Sequence, residues 1–420
     1  MLQNGYMSNK IFKIKVWFQD PQNRIWLTPV FGIVLALFLL VIAWYLDTFV
    51  QIPSKFTIDV DTLDSILSII ASSMLAVATF SLGIMVSAFA SVASSITPRA
   101  NVIVMSDQST QKAISSFLAA FLYAVVAKIA LGQGLYGKNG TYILFIVTLL
   151  VLVYLVYTLI QWVRTLSTLG RLSDTVKKVE AIANEQVKKF WENPTFSLTT
   201  KAITEHRYHI LSPEIGYITN INFKELNAYC EDNHIKFDIM VRHGSFVGCD
   251  DVLCYSSGYI ENKDDIAQFF IIEDTQRHND NPNYSLEILS EIAQKALSPA
   301  VNDAGTAIYV LTVISKILNQ NKHIEIVDKT IKYENLSIIS YDKNDFIAPI
   351  FGPIARYGKD SIEVLVHLQK VLSSLANNKD EELALFAKKY AKISFENTHD
   401  FLTSQEEKKM LEEIYKSLFK

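Results

Sequence analysis

The chain is poor in cysteine and has no excess of positive charge, and both shortages exclude classes of protein. Its 420 residues include three cysteines, and 43 acidic residues outnumber 39 basic ones, for a net charge of -4. This balance argues against nucleic-acid binding, which needs a basic face. The three cysteines are Cys230, Cys249 and Cys254, and all lie in the later, polar part of the chain. Their odd number and this location favour free thiols over a disulfide framework.

Familiar catalytic and cofactor motifs are also missing. The sequence has no nucleophile elbow, no phosphate-binding glycine loop and no dinucleotide-binding fingerprint. The side chains that invite a metal prediction do not follow a usual zinc spacing; they are His206, His209, His234, His243, Cys249 and Cys254. We therefore predict no enzymatic activity, no cofactor and no metal.

What the sequence does contain is long apolar runs in its first part. Residues 27–46 and 141–163 carry no charge, residues 114–131 carry one lysine, and no charge separates Asp64 from Arg99. A membrane-spanning helix needs about 20 such residues. The first run follows a polar arm and lacks a small-residue cleavage site behind it, so we expect a retained anchor and no secretory signal. The sequence predicts four membrane spans.

The basic residues predict how these spans are oriented. They are concentrated in the N-terminal arm, between the second and third spans, and after the fourth span. The positive-inside rule then places both termini in the cytoplasm. We expect a multi-pass protein of the cell inner membrane, whose first partner is the lipid bilayer.

The pattern of apolar and polar residues along the chain predicts an α-helical membrane domain joined to an α+β cytoplasmic domain. Short alternating runs separated by Gly, Asn and Asp indicate a small β-barrel or sandwich, and later amphipathic runs indicate a helical C-terminal part. The predicted parts are a cytoplasmic arm (1–24), a four-helix transmembrane domain (25–163), a helical stalk (164–200), a β-rich subdomain (201–280) and a mainly helical subdomain (281–420).

The second apolar run is unusual because small and hydroxyl residues share one helical face. This small-polar stripe consists of Ser72, Ala76, Thr79, Gly83, Ser87, Ser91 and Ser94, at three- and four-residue spacing. One interpretation is close helix packing. The other is a water-lined pathway, in which hydroxyls replace part of an ion's hydration shell. A pathway would need several copies of a four-span chain, so it predicts a homo-oligomer that passes ions or small solutes.

Two basic residues near span ends each allow two interpretations. Lys128 lies four residues before Gly132, so it either extends to the outer interface or contributes to a pore mouth that favours anions. Arg99 follows Pro98 at the end of the second span. It either anchors that end to inner-leaflet phosphates or couples the spans to the cytoplasmic domain.

A polar segment in the later part predicts a tight corner between two helices. Ser298 precedes Pro299, and Asn302 or Asp303 comes shortly after; these are residue types that cap helices. Such a corner is either purely structural or holds an anion at a helix N-terminus.

Arg277 and Asp280 precede this corner, and they belong either to a salt-bridged loop or to a ligand-binding or acid–base site. Three functions follow from these alternatives. The first is an oligomeric channel or transporter with a cytoplasmic regulatory domain. The second is a membrane-anchored sensory or binding scaffold without transport. The third is a membrane-tethered enzyme that uses these two residues and the corner at 298–303.

Several short motifs, together with the predicted spans, carry a resemblance to a known family. They are Ser-Ser-Ile-Thr-Pro-Arg at 94–99, Gly-Tyr-Ile at 216–218, Arg-His-Gly-Ser-Phe-Val at 242–247, Glu-Asp at 273–274 and the polar segment at 292–307. Over most of its length the chain resembles the DUF2254 family of predicted bacterial membrane proteins. It departs from the family at His243, Ser245 and Ala304, where Pro, Asp and Pro are usual, and these changes affect turns more than chemistry. The family has no established activity, so the resemblance implies architecture alone.

Overall fold

The computed structural model describes residues 21–47, 58–95, 97–105, 108–168, 171–205, 208–276, 281–320, 324 and 331–419. The described residues divide into two compact units, one ending at Thr175 and one beginning at Val176. The first contains the apolar runs, and the second contains the polar part of the sequence.

The first unit is helical. Its helices are α1 (Pro21–Asp47), α2 (Val60–Ser95), α3 (Pro98–Met105), α4 (Gln108–Gly132) and α5 (Lys138–Thr168). Three stretches are long and apolar enough to cross a membrane, namely Val60–Ser91, Gln111–Gly132 and Lys138–Leu166, while Val30–Tyr45 of α1 is a shorter apolar helix. The described residues therefore contain three candidate spans where the sequence predicted four.

Helix α2 is longer than a bilayer core requires. Its 36 residues correspond to roughly 54 Å at 1.5 Å per residue, against a hydrocarbon thickness of about 30 Å. A helix of this length that crosses a bilayer must tilt or extend beyond the hydrocarbon region.

Helix α4 is the centre of the first unit. It packs against α1, α2 and α5, and 44% of its most apolar stretch is buried, compared with 17% in α2 and 22% in α5. Small residues make this possible, since Ala120, Ala124 and Ala127 are all buried in the shared core. A side chain on Gly32 of α1 would meet the Cβ of Ala119 at 3.2 Å. Because the neighbouring helices bury one face each against α4, their opposite faces lie on the surface of the unit.

Polar groups inside this unit bond to one another. The hydroxyls of Tyr123 and Thr148 are 2.9 Å apart, and Tyr136 donates to the carbonyl of Leu40 at 3.1 Å. The Asp47 carboxylate, at the end of α1, accepts the N–H of Gly137 at 2.9 Å and the N–H of Gly140. It therefore caps α5 from another helix, where a negative charge favours the positive end of the helix dipole. Internal pairing of this kind is what a low-dielectric surrounding requires.

The second unit mixes helices and short strands. Helix α6 (Leu172–Glu192) enters it at Val176. The following elements are β1 (Tyr208–Leu211), β2 (Gly216–Ile221), α7 (Phe223–Asn233), β3 (Phe237–Ile239), β4 (Phe246–Val247), β5 (Val252–Ser256), α8 (Asp264–Ala267) and β6 (Phe270–Glu273). After them come α9 (Tyr284–Ala296), α10 (Ala304–Asn319), β7 (Leu336–Ile338), a 3-10 turn (Lys343–Phe346), α11 (Ala348–Tyr357), α12 (Ile362–Ala376), α13 (Glu381–His399) and α14 (Gln405–Leu418).

The strands form two small open sheets. One has the order β1-β5-β3-β7 and the other β4-β2-β6; all neighbours are antiparallel except β3 and β7, which are parallel. Both sheets contribute to one apolar core. The sequence predicted a small barrel or sandwich, and the barrel alternative is wrong, because no barrel closes among the described residues. The strands are two to six residues long, too short and too few in each sheet for the stagger that closure demands.

Asp238 on β3 connects the larger sheet to the segment that precedes β1. Its carboxylate accepts hydrogen bonds from the N–H groups of Ile203 and Thr204 at 2.8 and 2.9 Å, from the Thr204 hydroxyl at 2.6 Å, and from the Ser337 hydroxyl on β7. The residue is 2% exposed. Burial by itself raises the pKa of this carboxyl, but the hydrogen bonds together outweigh burial and lower it below its usual value.

We expect Asp238→Asn to lower the free energy of unfolding by about 3 kcal/mol at pH 7, since an NH2 group replaces one carboxylate oxygen and leaves the buried donors to that oxygen without an acceptor. Because the folded-state pKa is lowered, the carboxylate contributes stability above the unfolded pKa, about 3.9, and loses it as the pH falls through the folded value. The difference between wild type and variant should therefore shrink between about pH 5 and pH 3. Denaturant unfolding of the detergent-solubilised protein measures both effects.

The matched control is Asp232→Asn on α7, because that carboxyl is exposed. It should change the unfolding free energy by less than about 0.5 kcal/mol. An equal loss in both variants would contradict the role assigned to Asp238.

Candidate functional site

The structure places the small-polar stripe on the exposed side of α2. The described members Ser72, Ala76, Thr79, Gly83, Ser87 and Ser91 are all exposed in the isolated chain, and the side chain of Ser94 lies outside the described residues. The buried residues of α2 are Leu63, Leu67, Ile70, Ala78 and Ser81. At about 100° per residue, they lie opposite the stripe. The stripe therefore faces away from α4.

Large apolar side chains border the stripe. Phe80 and Val86 are 67% and 59% exposed on its two sides. Between them, a Cβ on Gly83 would have no heavy atom within 4 Å. Among the described residues, the packing within one chain therefore leaves open space at this small residue.

Two hydroxyls of the stripe donate to carbonyls of their own helix. Ser72 donates to the carbonyl of Ser68 at 2.9 Å, and Thr79 donates to the carbonyl of Leu75 at 2.9 Å. These bonds satisfy the hydroxyl protons but leave oxygen lone pairs directed outward. Such a face can meet another helix without a dehydration penalty for its donors, and it can also accept hydrogen bonds from water or coordinate a cation.

An ion pair lies at one end of the stripe. The Lys128 ammonium on α4 is 3.0 Å from a carboxylate oxygen of Asp64 and 2.5 Å from the hydroxyl of Ser68, both on α2. Ser68 lies one turn before Ser72, so the pair and the stripe are continuous along the helix. In the sequence, Asp64 had only marked the limit of a charge-free run. The available signal was its depth: Asp64 follows the start of α2 by four residues, and Lys128 precedes the end of α4 by four.

Arg99 lies in the first turn of α3, next to the end of α2. The Thr97 hydroxyl accepts the N–H of Ala100 at 3.3 Å, so Thr97 caps this short helix. The arginine itself is half-buried within the first unit.

The polar segment of the second unit forms the helix–corner–helix arrangement that the sequence indicated. The prediction that Ser298 starts a helix before Pro299 is wrong. Its hydroxyl donates to the carbonyl of Lys295 at 2.7 Å, so it belongs to the end of α9, and the next described helix begins at Ala304. Asn302 takes a left-handed conformation, with φ of 51°. Asp303 caps α10, because its carboxylate accepts the N–H of Thr306 at 3.0 Å and the Thr306 hydroxyl at 2.6 Å.

These contacts determine the charge at the corner. The hydrogen bond from the Thr306 hydroxyl is the main reason that the pKa of Asp303 is lowered, and the Thr306 N–H adds to it. The carboxylate is therefore ionised at neutral pH and occupies the position at the N-terminus of α10 that an anion would take. Arg277 and Asp280, predicted to act with this corner, lie outside the described residues.

Comparison with known proteins addresses the architecture. A family model described as a predicted membrane protein, DUF2254, matches residues 22–374. The chain belongs to the DUF2254 family. No curated protein matches the chain, and no solved structure matches it. Together with the three candidate spans, the family identifies this DUF2254 chain as a membrane protein.

The two glycines of the membrane helices should respond differently to a large side chain. We expect Gly32→Leu to lower thermal stability because the new side chain collides with Ala119; overpacking of this kind costs about 1–3 kcal/mol. Gly83→Leu should leave the fold of the single chain unchanged, because the position is open. Thermal unfolding in a detergent that keeps the chain monomeric makes the comparison, and equal losses in both variants would show that the stripe is packed within the chain.

The corner offers a second paired comparison. Asp303→Ala should lower the free energy of unfolding by about 1 kcal/mol through loss of the helix cap. The neighbouring Asn302→Gly should change it by less than about 0.5 kcal/mol, because glycine adopts the left-handed conformation readily. Denaturant unfolding measures both, and an unaffected Asp303→Ala variant would exclude the capping role.

Proposed function

We propose that this DUF2254 protein is a homo-oligomeric channel or transporter for ions or small solutes, with α2 of each copy facing a common axis. The single observation that carries the proposal is the exposure of the small-polar stripe on the side of α2 opposite its packing face. In a bilayer, an exposed face of hydroxyls and small residues is better placed against water or protein than against lipid tails.

The geometry of the first unit supports an assembly of several copies. Helix α4 occupies the centre of each chain, and the small-polar stripe lies at the periphery. One chain thus encloses no pathway with this face, whereas a ring of chains brings several stripes together around an axis. The subunits in this proposal have four spans, with α1 as the first, and lie in the cell inner membrane with both termini cytoplasmic.

The second unit acts as a cytoplasmic regulatory domain in this proposal. It has its own apolar core and its own hydrogen-bonded corner. We assign no catalytic step, cofactor or metal to it. The corner formed by Ser298, Asn302 and Asp303, with the preceding Arg277 and Asp280, is proposed as a ligand or coupling site.

A membrane-anchored sensory or binding scaffold without transport is the alternative, and one observation favours it. Ser72 and Thr79 satisfy their hydroxyl protons within α2, so the stripe is also suited to a dry contact between helices. The two functions differ in whether the oxygen lone pairs of the stripe meet water.

Flux into liposomes that contain the purified protein tests the proposal. Flux into liposomes with the wild-type protein should exceed flux into empty liposomes. The Ser87→Leu variant should reduce this flux by about tenfold or more, because the added side chain fills the pathway. A tenfold reduction is equivalent to about 1.4 kcal/mol in the barrier. Val153→Leu on α5 is the control, since Val153 is 67% exposed and lies off the stripe. It should leave flux unchanged.

The variant Ser87→Ala separates the two functions. It keeps the small size that packing needs and removes the hydroxyl that a pathway uses. Changed flux in an assembly of unchanged mass supports transport. No flux through wild type under any voltage, membrane tension or cytoplasmic ligand, together with an intact Ser87→Ala assembly, would favour the scaffold.

A further inference from the structure

The Asp64–Lys128 pair is half-exposed in the isolated chain, and this exposure limits where it can lie. The side chains of Lys128 and Asp64 are 46% and 42% exposed, although they are 3.0 Å apart. An ion pair exposed to hydrocarbon is costly, because neither charge regains its lost hydration in full. The pair lies about one helical turn, or roughly 6 Å, from the ends of α2 and α4. Its exposed side therefore faces water, lipid head groups or another protein surface.

The position of the pair along α2 favours water at the end of the small-polar stripe. Asp64, Ser68 and Ser72 follow one another at four-residue spacing, and Lys128 bonds to the first two. The ammonium thus reaches the edge of the stripe from the neighbouring helix. Any solute that enters the stripe from this end passes within a few ångströms of both charges.

The charges along this route cancel. Residues 65–98 contain no Asp, Glu, Lys or Arg, so the wall formed by α2 presents hydroxyls and small groups beyond the pair. For an ion at similar distances from the carboxylate and the ammonium, the potentials of the two charges largely cancel. The intact pair would then select only weakly between cations and anions. Asp64 or Lys128 without its partner would select strongly by charge.

We propose that Asp64 and Lys128 form the charge filter of the pathway, and that each masks the other, so that small monovalent ions of either sign are accepted. This inference rests on the proposed transport function. It assigns the wild-type protein a substrate class, small solutes without a strong charge preference. It also assigns opposite selectivities to the two halves of the pair.

Reversal potentials of the reconstituted full-length protein in a KCl gradient test the filter. Wild type should show a chloride-to-potassium permeability ratio near one. Asp64→Asn leaves the ammonium unmasked and should raise the ratio about fivefold, while Lys128→Gln should lower it about fivefold. The double variant Asp64→Asn with Lys128→Gln should return to the wild-type ratio. Gel filtration confirms that each variant assembles.

The outcomes separate this inference from the proposed function. Opposite shifts that cancel in the double variant support the filter. Conduction with unshifted ratios, or with shifts of the same sign, overturns the filter and leaves transport standing; such a pair would act as a head-group anchor. Absence of conduction in wild type overturns transport, and a second measurement then decides whether the pair sets the charge at a water-accessible face.

That measurement uses Ser72→Cys in a Cys249→Ser background, with cationic and anionic thiosulfonate reagents of matched size. The remaining thiols are silent because both are buried; burial raises the pKa of Cys230 to about 12 and that of Cys254 well above its usual value. Asp64→Asn should favour the anionic reagent about fivefold, and Lys128→Gln the cationic reagent. Equal rates in all variants, or no reaction at the introduced thiol, would overturn the filter.

Discussion

The packing of α4 against three neighbouring helices is the interaction on which the first unit depends. Its buried alanines let backbones approach closely, and Gly32 of α1, where a side chain would collide with α4, belongs to the same contact. Between apolar helices in a bilayer, association comes from close fit and internal hydrogen bonds, since lipid tails are as apolar as leucine. The buried face of α2 is directed towards α4 for this reason, and the small-polar stripe on its opposite face is left outside the chain.

The same constraint explains the polar contacts of this unit. A polar group in a low-dielectric surrounding needs a partner, and several groups of this unit find one in three ways, although the buried Ser81 hydroxyl has none among the described residues. Ser72 and Thr79 bond to their own helix, Tyr123 and Thr148 bond across helices, and Asp47 caps α5. The Asp64–Lys128 pair follows the same rule but stays half-exposed.

The second unit combines an apolar core with polar contacts between segments that are distant in sequence. Asp238 joins β3, β7 and the segment before β1 through hydrogen bonds to residues distant in sequence. In the same unit, Lys343 lies over the ring of Trp191 at 4.1 Å and pairs with Asp380 at 3.2 Å, which ties α6 to the helices that follow. Asp238 and Lys343 are thus polar residues that each connect separate segments of the chain.

Sequence reasoning succeeded where the signal was local. Long apolar runs predicted the three candidate membrane helices, Asp303 was one of the two residues predicted to cap α10, and motif resemblance identified the family. It failed where the answer depended on segments far apart in the chain. The strands of the β-rich part were recognisable, but their short length and the parallel pairing of β7 with β3 left open sheets in place of a barrel.

The sequence by itself determined that this protein has long apolar helices and that one of them carries a small-polar stripe, because a 3.6-residue period is a local property of the chain. Only the tertiary structure decided which face of that helix is buried, since burial depends on which neighbour occupies the opposite side. It placed α4 against the apolar face of α2, left the stripe exposed, and brought Lys128 to Asp64 across 64 residues of sequence. No local sequence pattern predicts that contact, because it forms only when the two helices that carry the residues pack together.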